Sequence, residues 1–361
     1  MITIKEIAKK ANVSTGTVDR VLHNRAGVSL KTKEKILKLL KENNFKKNVI
    51  ASTLAMRKKY TVAVLIPEYD SKNLFWKSPY LGIQKAAEEV NDYGIQISYY
   101  LYNQFESSSF SEQFEKLISK QTDAVLLVPT FAKQTTVFVK ELEYKNIPYL
   151  FLNVDLNGFN NLSYIGSDSF KSGVLAGKLM HLCISNPQVI LTIQTSLRDH
   201  NYHVTTKRIE GFTAYFNESK IAHTHLSISF NNLDHPLEIR KKLNSFLDKN
   251  NSVNGIFVPS SRIGIIAKEI DKEKITRLKL VGFDTTEHNV ECLKDNEVTF
   301  LISQKSYNQG YDAIHILTKF FTQKIIPKQK NYSPLEILTK ENLEFSDKTG
   351  LLAKTKKEDL L

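Results

Sequence analysis

Three stretches near the start of the chain carry apolar residues at the three-to-four-residue spacing of amphipathic helices. Thr3 and Glu6 have the spacing of a capping box, while Ser14 and Ser29 precede the second and third stretches as candidate N-caps. Only residues 12–13 separate the first two stretches, so these helices must cross sharply. The pattern predicts a helix-turn-helix followed by a third helix.

From residue 61 onward, short apolar runs alternate with amphipathic stretches. Runs that are apolar throughout are typical of strands in parallel sheets, which helices cover on both faces. The runs form two series, which predicts two lobes with a ligand cleft at the carboxyl ends of the strands. The predicted strands are 61–67, 95–102, 123–130, 147–154, 188–195, 225–230, 254–260, 278–283 and 298–303. The predicted helices include 81–93, 110–120, 171–183, 207–216, 239–247 and 307–321.

The predicted fold class is therefore an N-terminal all-α helix-turn-helix domain joined to an α/β two-lobed core with parallel sheets. We expect the first domain to span 1–47, a connecting segment 48–60, and the core 61–345, with a poorly ordered polar tail at 346–361. The first lobe is expected to comprise about 61–160 and 286–325. The second is expected to comprise about 161–285 and 326–345.

Charge separates the two parts of the chain. Residues 1–60 hold fifteen Lys and Arg against four Asp and Glu, whereas the remaining residues hold 35 against 34. A strongly basic head on a nearly neutral body indicates that the head alone meets a polyanion. A solubilising basic tail and a helical protein-docking module are the alternatives.

Several classes of protein are disfavoured. The N-terminus lacks the apolar core of a signal peptide and no run of 18 apolar residues occurs, so we expect a cytoplasmic protein. Cys183 and Cys292 lack C-x-x-C spacing, which argues against a disulfide framework or a zinc cluster. No P-loop, H-E-x-x-H or G-x-S-x-G motif is present, so we expect neither an enzyme nor a cofactor. His223 and His225 alternate on a predicted strand, but ordinary surface histidines explain them better than a metal site.

The second predicted helix has the composition of a helix that enters the major groove of DNA. Such a helix presents its N-terminal residues to base edges. Thr15 and Gly16 are small, which permits close approach to the DNA. Arg20 suits guanine O6 and N7, and Asp19 suits either cytosine N4 or a role in orienting Arg20.

The head closely resembles the DNA-binding domain of the lactose/galactose repressor (LacI) family. The family motif T-x-x-[ED]-[IV]-A-x-x-A-x-V-S-x-x-T-V-S-R-V-L matches residues 3–22, apart from Asp19 in place of the usual Ser, and V-S-x-x-T follows at 28–32. The resemblance implies a sequence-specific transcriptional regulator, of the repressor type, that binds pseudo-palindromic operator DNA as a homodimer.

The segment after the third helix resembles the hinge helix of that family, which orders on DNA and inserts a leucine, here Leu54, into the minor groove. A plain linker is the alternative. The DNA-contacting residues implied by the motif and the resemblance are Ser14, Thr15, Gly16, Thr17, Asp19, Arg20, His23, Asn24, Ser29, Asn48, Ala51 and Leu54.

Residues 61–345 resemble the type I periplasmic binding protein fold, which forms the effector core of the same family. The resemblance implies a sugar or sugar derivative in the cleft between the lobes and ligand control of operator affinity; a transport sugar-binding protein is the alternative. Phe75 and Trp76 match aromatic residues that stack on sugars, although core packing explains them too. Arg208 and Asp284 match a hydroxyl-binding pair, with a salt bridge across the cleft as the alternative. The implied ligand residues are Phe75, Trp76, Asn153, Arg208, Ser260, Asp284 and Gln304.

Overall fold

The computed structural model describes residues 2–22, 26–43, 59–70, 73–195, 203–231 and 233–346. The chain divides into two compact units, a head of Met1–Lys58 and a body of Lys59–Leu361. Residues 48–58 of the predicted connecting segment 48–60, and residues 347–361 of the predicted tail 346–361, lie outside the described residues.

The described part of the head is a three-helix unit. Its helices are α1 (Ile4–Ala11), α2 (Thr15–Leu22) and α3 (Leu30–Glu42). Their first turns are capped as the sequence predicts, because the side chains of Thr3, Ser14 and Ser29 accept the backbone N–H groups of Glu6, Thr17 and Thr32 at 3.2, 3.1 and 3.3 Å. A left-handed Asn12, with φ of 56°, ends α1 and turns the chain into α2. The buried core comprises Ile7, Ala8, Ala11, Val18, Val21 and Ile36.

The body contains strands and helices in alternation. Its strands are β1 (Tyr60–Pro67), β2 (Ile95–Tyr102), β3 (Ala124–Leu127), β4 (Tyr149–Leu152), β5 (Ser163–Gly166), β6 (Gln188–Gln194), β7 (His223–Ser229), β8 (Gly255–Phe257), β9 (Lys279–Phe283), β10 (Phe300–Ser303), β11 (Lys330–Tyr332) and β12 (Glu336–Leu338). Its α-helices are α4 (Lys77–Val90), α5 (Ser107–Ile118), α6 (Ala132–Tyr144), α7 (Ser169–Cys183), α8 (His203–Glu218), α9 (Pro236–Lys249), α10 (Ile263–Lys268), α11 (Lys272–Ile275), α12 (Glu287–Lys294) and α13 (Ser306–Gln323). Short 3-10 helices occupy Leu74–Trp76, Asn91–Tyr93 and Leu343–Phe345.

Two six-stranded sheets form the cores of two lobes. The strand order is β11-β5-β4-β3-β1-β2 in the first and β12-β10-β9-β8-β6-β7 in the second. The described pairs are parallel except for β10 with β12, which is antiparallel. The prediction of two lobes with parallel sheets is thus confirmed, and its physical basis is visible in β3 and β4, which are buried along their whole length.

The predicted lobe boundaries are wrong in three places. Strand β5 pairs with β4 in the first sheet, although 161 was the expected start of the second lobe. Helix α12 and strand β10 belong to the second lobe, because β10 extends the parallel ladder beside β9. Strand β11 returns to the first sheet beside β5. The chain therefore crosses between the sheets three times, after β5, β10 and β11.

Candidate DNA-binding surface and ligand cleft

Helix α2 separates its residues cleanly between the core and the outside. Val18 and Val21 are 0% and 5% exposed. Thr15, Gly16 and Arg20 lie on the exposed side. The helix thus presents the predicted base-reading residues at the surface of the head, the arrangement that insertion into a major groove requires.

No described residue of the head packs closely enough against Gly16 to require a glycine there. A Cβ built at this position would meet only Ser14 Oγ, at the ordinary contact distance of 3.6 Å. Glycine weakens a helix relative to alanine by up to about 1 kcal/mol. The described part of the head therefore offers no packing reason for a glycine at this position.

Of the other predicted DNA-contacting residues, four are described by the structure and five are not. Ser14, Thr17, Asp19 and Ser29 lie at or near the outer face of the head, the two serines as helix caps. Some lysines of the basic head serve its own fold: Lys35 Nζ donates to the Ala11 carbonyl at 2.9 Å, which ties α3 to the end of α1. The remaining predicted contacts, His23, Asn24, Asn48, Ala51 and Leu54, lie outside the described residues.

In the body, three polar side chains follow strands at the edge where the lobes meet. Asn153 follows β4, Asp284 follows β9 and Gln304 follows β10, and all three are at most 7% exposed. Gln304 Nε2 donates to Asp284 Oδ1 at 2.9 Å, and Asn153 Nδ2 donates to Gln304 Oε1 at 3.3 Å. The structure therefore joins these three predicted ligand residues in one hydrogen-bonded cluster, which we call the strand-end cluster.

Two further residues of this cluster were not predicted from the sequence. Ser167 Oγ also donates to Gln304 Oε1, at 3.0 Å, and Gln309 Nε2 donates to the Gln304 carbonyl at 2.8 Å. Ser167 lies where the chain leaves the first lobe, and Gln309 is a buried polar residue on α13. A glutamine in an amphipathic helix gives no sequence signal of such a role.

Arg208, on α8, is a fully buried cation. Its side chain is 2% exposed, and its Cζ lies 3.7 Å above the centre of the Phe283 ring. Nη1 donates to the Pro259 carbonyl at 2.9 Å, but Nε and Nη2 have no hydrogen-bond partner among the described residues. Buried guanidinium N–H groups are normally paired, so the open N–H groups of Nε and Nη2 make Arg208 a candidate ligand-binding residue.

Arg208 and Asp284 influence each other electrostatically. Burial lowers the pKa of Arg208, and the negative charge of Asp284 opposes that shift. Burial likewise raises the pKa of Asp284, opposed by Arg208 and by the hydrogen bond from Gln304. Each charge thus offsets part of the desolvation cost of the other.

The backbone of α8 is fixed at Arg208 by close helix packing. A Cβ at Gly173 on α7 would lie 2.0 Å from the Arg208 carbonyl oxygen, and a Cβ at Gly211 would lie 2.0 Å from that of Phe170. Only glycine allows the two helices to approach this closely. The pair therefore positions Arg208 beside the second sheet.

The two predicted aromatic residues occupy different environments. Phe75 is half-buried and lines a cavity together with Asp284. Trp76 is 6% exposed, packs in the core of the first lobe and donates from Nε1 to Gln104 Oε1 at 2.8 Å. Their rings meet edge to face with centroids 4.9 Å apart. The structure thus places Phe75 at the cleft and Trp76 behind it.

A larger cavity of about 460 Å³ opens between the lobes, within the usual size range of small-molecule sites. Arg262, from the second lobe, lines this cavity. Its Cζ lies 5.6 Å from the centre of the Phe105 ring, which belongs to the first lobe. Ser260, a predicted ligand residue, lies nearby with its Oγ 2.9 Å from Thr195 Oγ1. The described lining residues are Glu68, Asp70, Asn73, Asn103, Gln104, Phe105 and Glu106 from the first lobe and Thr195, Phe230, Asn231, Leu233, Asp234, Arg262 and Ile265 from the second.

Two family models match the two parts of the chain. The model for bacterial regulatory proteins of the lacI family matches residues 3–48, and the model for the periplasmic binding protein domain matches residues 62–324. The chain belongs to the LacI family of bacterial regulatory proteins. Its body is a periplasmic binding protein domain, and the sequence-based expectation of both is confirmed.

Curated relatives of this LacI-family chain align over nearly its full length. The ribose operon repressor of Halalkalibacterium halodurans is 26% identical over 347 residues, which are 94% of this chain and 97% of that protein. Catabolite control protein A of Priestia megaterium is 24% identical, over 90% of this chain and 94% of its own length.

Solved structures support the same fold. A structure from Bacteroides fragilis that is assigned as a LacI transcriptional regulator has a TM-score of 0.74 and 26% identity, and covers 80% of this chain and 100% of that one. A glucose-galactose binding protein, GanP of Geobacillus stearothermophilus, has a TM-score of 0.69 at 19% identity, covering 80% of this chain and 99% of its own. The second likeness shows the fold alone.

The described part of this LacI-family chain also lacks some features. None of its helices is both long and apolar enough to span a bilayer. Within the same residues, no group of three or more His, Cys, Asp or Glu side chains is arranged to hold a metal ion.

Proposed function

We propose that this LacI-family chain represses transcription in the cytoplasm by binding a pseudo-palindromic operator as a homodimer. Helix α2 enters the major groove, where Arg20 reads a guanine and Gly16 allows close approach of the DNA. The hinge segment, with Asn48, Ala51 and Leu54, adds minor-groove contacts. The open space around Gly16 supports this role, because no packing among the described residues of the head requires a glycine there.

The same proposal assigns the cleft to a sugar or sugar derivative that alters operator affinity. The observation that carries it is the buried guanidinium of Arg208, in which two donor nitrogens, Nε and Nη2, have no hydrogen-bond partner among the described residues. The negative charge of Asp284 acts on this guanidinium. A donor fork and an acceptor together suit the vicinal hydroxyls of a carbohydrate. Phe75 supplies an apolar surface at the cavity that Asp284 also lines. No residue of the cluster is assigned a catalytic role.

The DNA half of the proposal is tested by titrating the purified chain with the promoter sequence of its own operon and with a scrambled duplex of the same length and salt concentration. We expect tight binding to the first and weak, salt-sensitive binding to the second. Arg20→Ala should cost about 1–3 kcal/mol of discrimination between the two duplexes. Lys38→Ala, an exposed lysine on α3, is the control and should leave discrimination unchanged. Equal affinity of the unaltered chain for both duplexes would refute the role.

A further inference from the structure

The six strands of the first sheet all begin at one end of the first lobe. The described pairs of this sheet are parallel throughout, in the order β11-β5-β4-β3-β1-β2. The segments that lead from a helix into a strand therefore meet at this end, which we call the strand-start end. The body also begins here, because its first residue, Lys59, directly precedes β1.

The strand-start end carries an excess of positive charge. It comprises residue 59 and the helix-to-strand links 91–94, 119–123, 145–148 and 324–329. Two acidic residues occur in these segments, Asp92 and Asp123, and the carboxylate of Asp123 accepts the N–H of Thr61 at 2.8 Å. Five lysines stand against them, and all five are exposed: Lys59, Lys120, Lys145, Lys324 and Lys328. The near-zero net charge of the body as a whole conceals this local excess.

The matching end of the second lobe tests the ordinary explanation for these lysines. The helix dipole favours cations near helix C-termini, and helices end in the same way before the parallel strands of both lobes. In the second lobe, however, two cationic residues, Lys220 and Arg277, stand against two acidic ones, Asp295 and Glu297. The links compared are 184–187, 219–222, 250–254, 276–278 and 295–299. The helix dipole acts alike in both lobes, so it does not explain an excess that only the first lobe has.

The spacing of the lysines suits an extended polyanion. Four strands of the sheet, β11, β4, β3 and β1, each have an exposed lysine within the four residues before them. Neighbouring strands lie about 4.8 Å apart, so the four strand spacings from β11 to β1 spread these lysines over about 19 Å. Duplex DNA carries one negative charge per about 1.7 Å of its axis, so an edge of this length faces several phosphates.

Building on the proposed function, we propose that the strand-start end of the first lobe is a second DNA-contacting surface, whose lysines bind the phosphate backbone of operator DNA. The segment that carries the basic head joins the body at this end, through Lys59. Contacts to phosphates carry no sequence information, so this surface adds affinity while the head supplies discrimination.

The test measures how the operator affinity of the full chain depends on salt concentration. Each phosphate contact that is lost makes the slope of log K against log salt concentration shallower by about 0.9. In Lys120→Gln/Lys145→Gln/Lys324→Gln/Lys328→Gln we expect the slope to become shallower by about 1.8 or more, which is one contact for each subunit of the homodimer. The ratio of affinities for the operator and a scrambled duplex should stay unchanged. A smaller change of slope overturns the inference.

A control variant makes the same change of net charge elsewhere on the body. Lys178→Gln/Lys249→Gln/Lys272→Gln/Lys294→Gln removes four exposed lysines of the second lobe, and its salt slope should equal that of the unaltered chain. A slope that becomes as shallow in this control as in the first variant would reveal an effect of net charge alone, and it would overturn the inference.

A second variant separates loss of charge from damage to the fold. Lys120→Arg/Lys145→Arg/Lys324→Arg/Lys328→Arg keeps all four charges, so it should retain the slope of the unaltered chain; a shallower slope in this variant also overturns the inference. Failure of the unaltered chain to prefer its operator over the scrambled duplex would instead refute the proposed function itself.

Discussion

At the scale of single residues, function depends on groups that are costly for the fold. Gly16 lacks a side chain in a helix, and the buried Arg208 has two donor nitrogens, Nε and Nη2, without a partner among the described residues. Neither choice stabilises the folded chain. Such positions are where substitutions should separate stability from binding.

Gly16→Ala is expected to stabilise the head and weaken operator binding. The added Cβ meets only Ser14 Oγ at 3.6 Å, so the substitution gains up to about 1 kcal/mol of helix stability without a clash. Chemical denaturation followed by helical circular dichroism measures the first effect, and operator titration measures the second. An alanine variant that binds its operator as tightly as the unaltered chain would show that close approach is not the function of Gly16.

Arg208→Ala is expected to abolish sugar binding while operator binding in the absence of sugar is retained. The substitution removes the two open donors, and it also leaves Asp284 buried without its counter-charge. Calorimetry with the binding sugar measures the loss. Arg240→Ala, which removes an exposed arginine paired with Glu269 on the same lobe, should bind sugar normally. Unchanged sugar affinity in Arg208→Ala would exclude the proposed contact.

The candidate site could be predicted only in part from the sequence, for a physical reason. Asn153, Asp284 and Gln304 directly follow apolar strands, and parallel strands bring their carboxyl ends to one edge. Gln309 approaches the same cluster from the middle of α13, and its position depends on how that helix packs. The sequence around Gln309 contains no information on how α13 packs, so the contact of Gln309 with the cluster is seen only in the structure.

At the scale of elements, the close packing of α7 on α8 links stability to the site. Gly173→Ala should destabilise the body by about 1–3 kcal/mol and weaken sugar binding, because its Cβ would lie 2.0 Å from the Arg208 carbonyl oxygen. Urea denaturation and sugar titration measure the two effects. Lys178→Ala, an exposed position on the same helix, should change neither. A stable variant with normal sugar affinity would show that the packing does not position Arg208.

His225, on the edge strand β7 of the second sheet, should make the free energy of unfolding of the body decrease at acidic pH. His225 Nε2 lies 2.6 Å from Thr192 Oγ1, and burial, followed by the nearby His223, lowers the pKa of His225. The fold favours neutral His225, so its stabilising contribution is complete above the unfolded pKa of about 6.5 and is lost as the pH falls below that value. Urea denaturation between pH 7 and pH 5 measures the loss. His225→Gln should reduce that pH dependence, whereas exposed His235→Gln should not; an unchanged slope in His225→Gln would contradict the assignment.

A strand or helix could be predicted where its own sequence shows which of its residues are buried. The apolar run at 61–67 coincides with β1, which is buried from Val62 to Pro67, because strands covered on both faces need continuous apolar sequence. The run at 95–102 coincides with β2, an edge strand that is only partly buried. The lobe of β10 was not predictable, because its partner β9 is determined by pairing between segments and not by its own sequence. For the same reason β11 and β12, three residues each, leave no pattern to detect.

At the scale of the whole molecule, we propose that the basic head binds DNA and that the nearly neutral body binds the ligand. The chain crosses between the two lobes three times, and Ser167 and Gln304 of the strand-end cluster lie directly after β5 and β10, where two of these crossings begin. A ligand that engages Asp284 therefore acts on residues that also connect the lobes. Ligand binding can thereby favour one arrangement of the lobes over another.

The most direct test of this coupling is fluorescence anisotropy of labelled operator titrated with the full chain, with and without a saturating neutral sugar that binds the cleft. We expect the sugar to change the operator affinity of the unaltered chain by about 1–3 kcal/mol and to leave the operator affinity of Arg208→Ala unchanged. Identical operator affinity with and without bound sugar in the unaltered chain would contradict it.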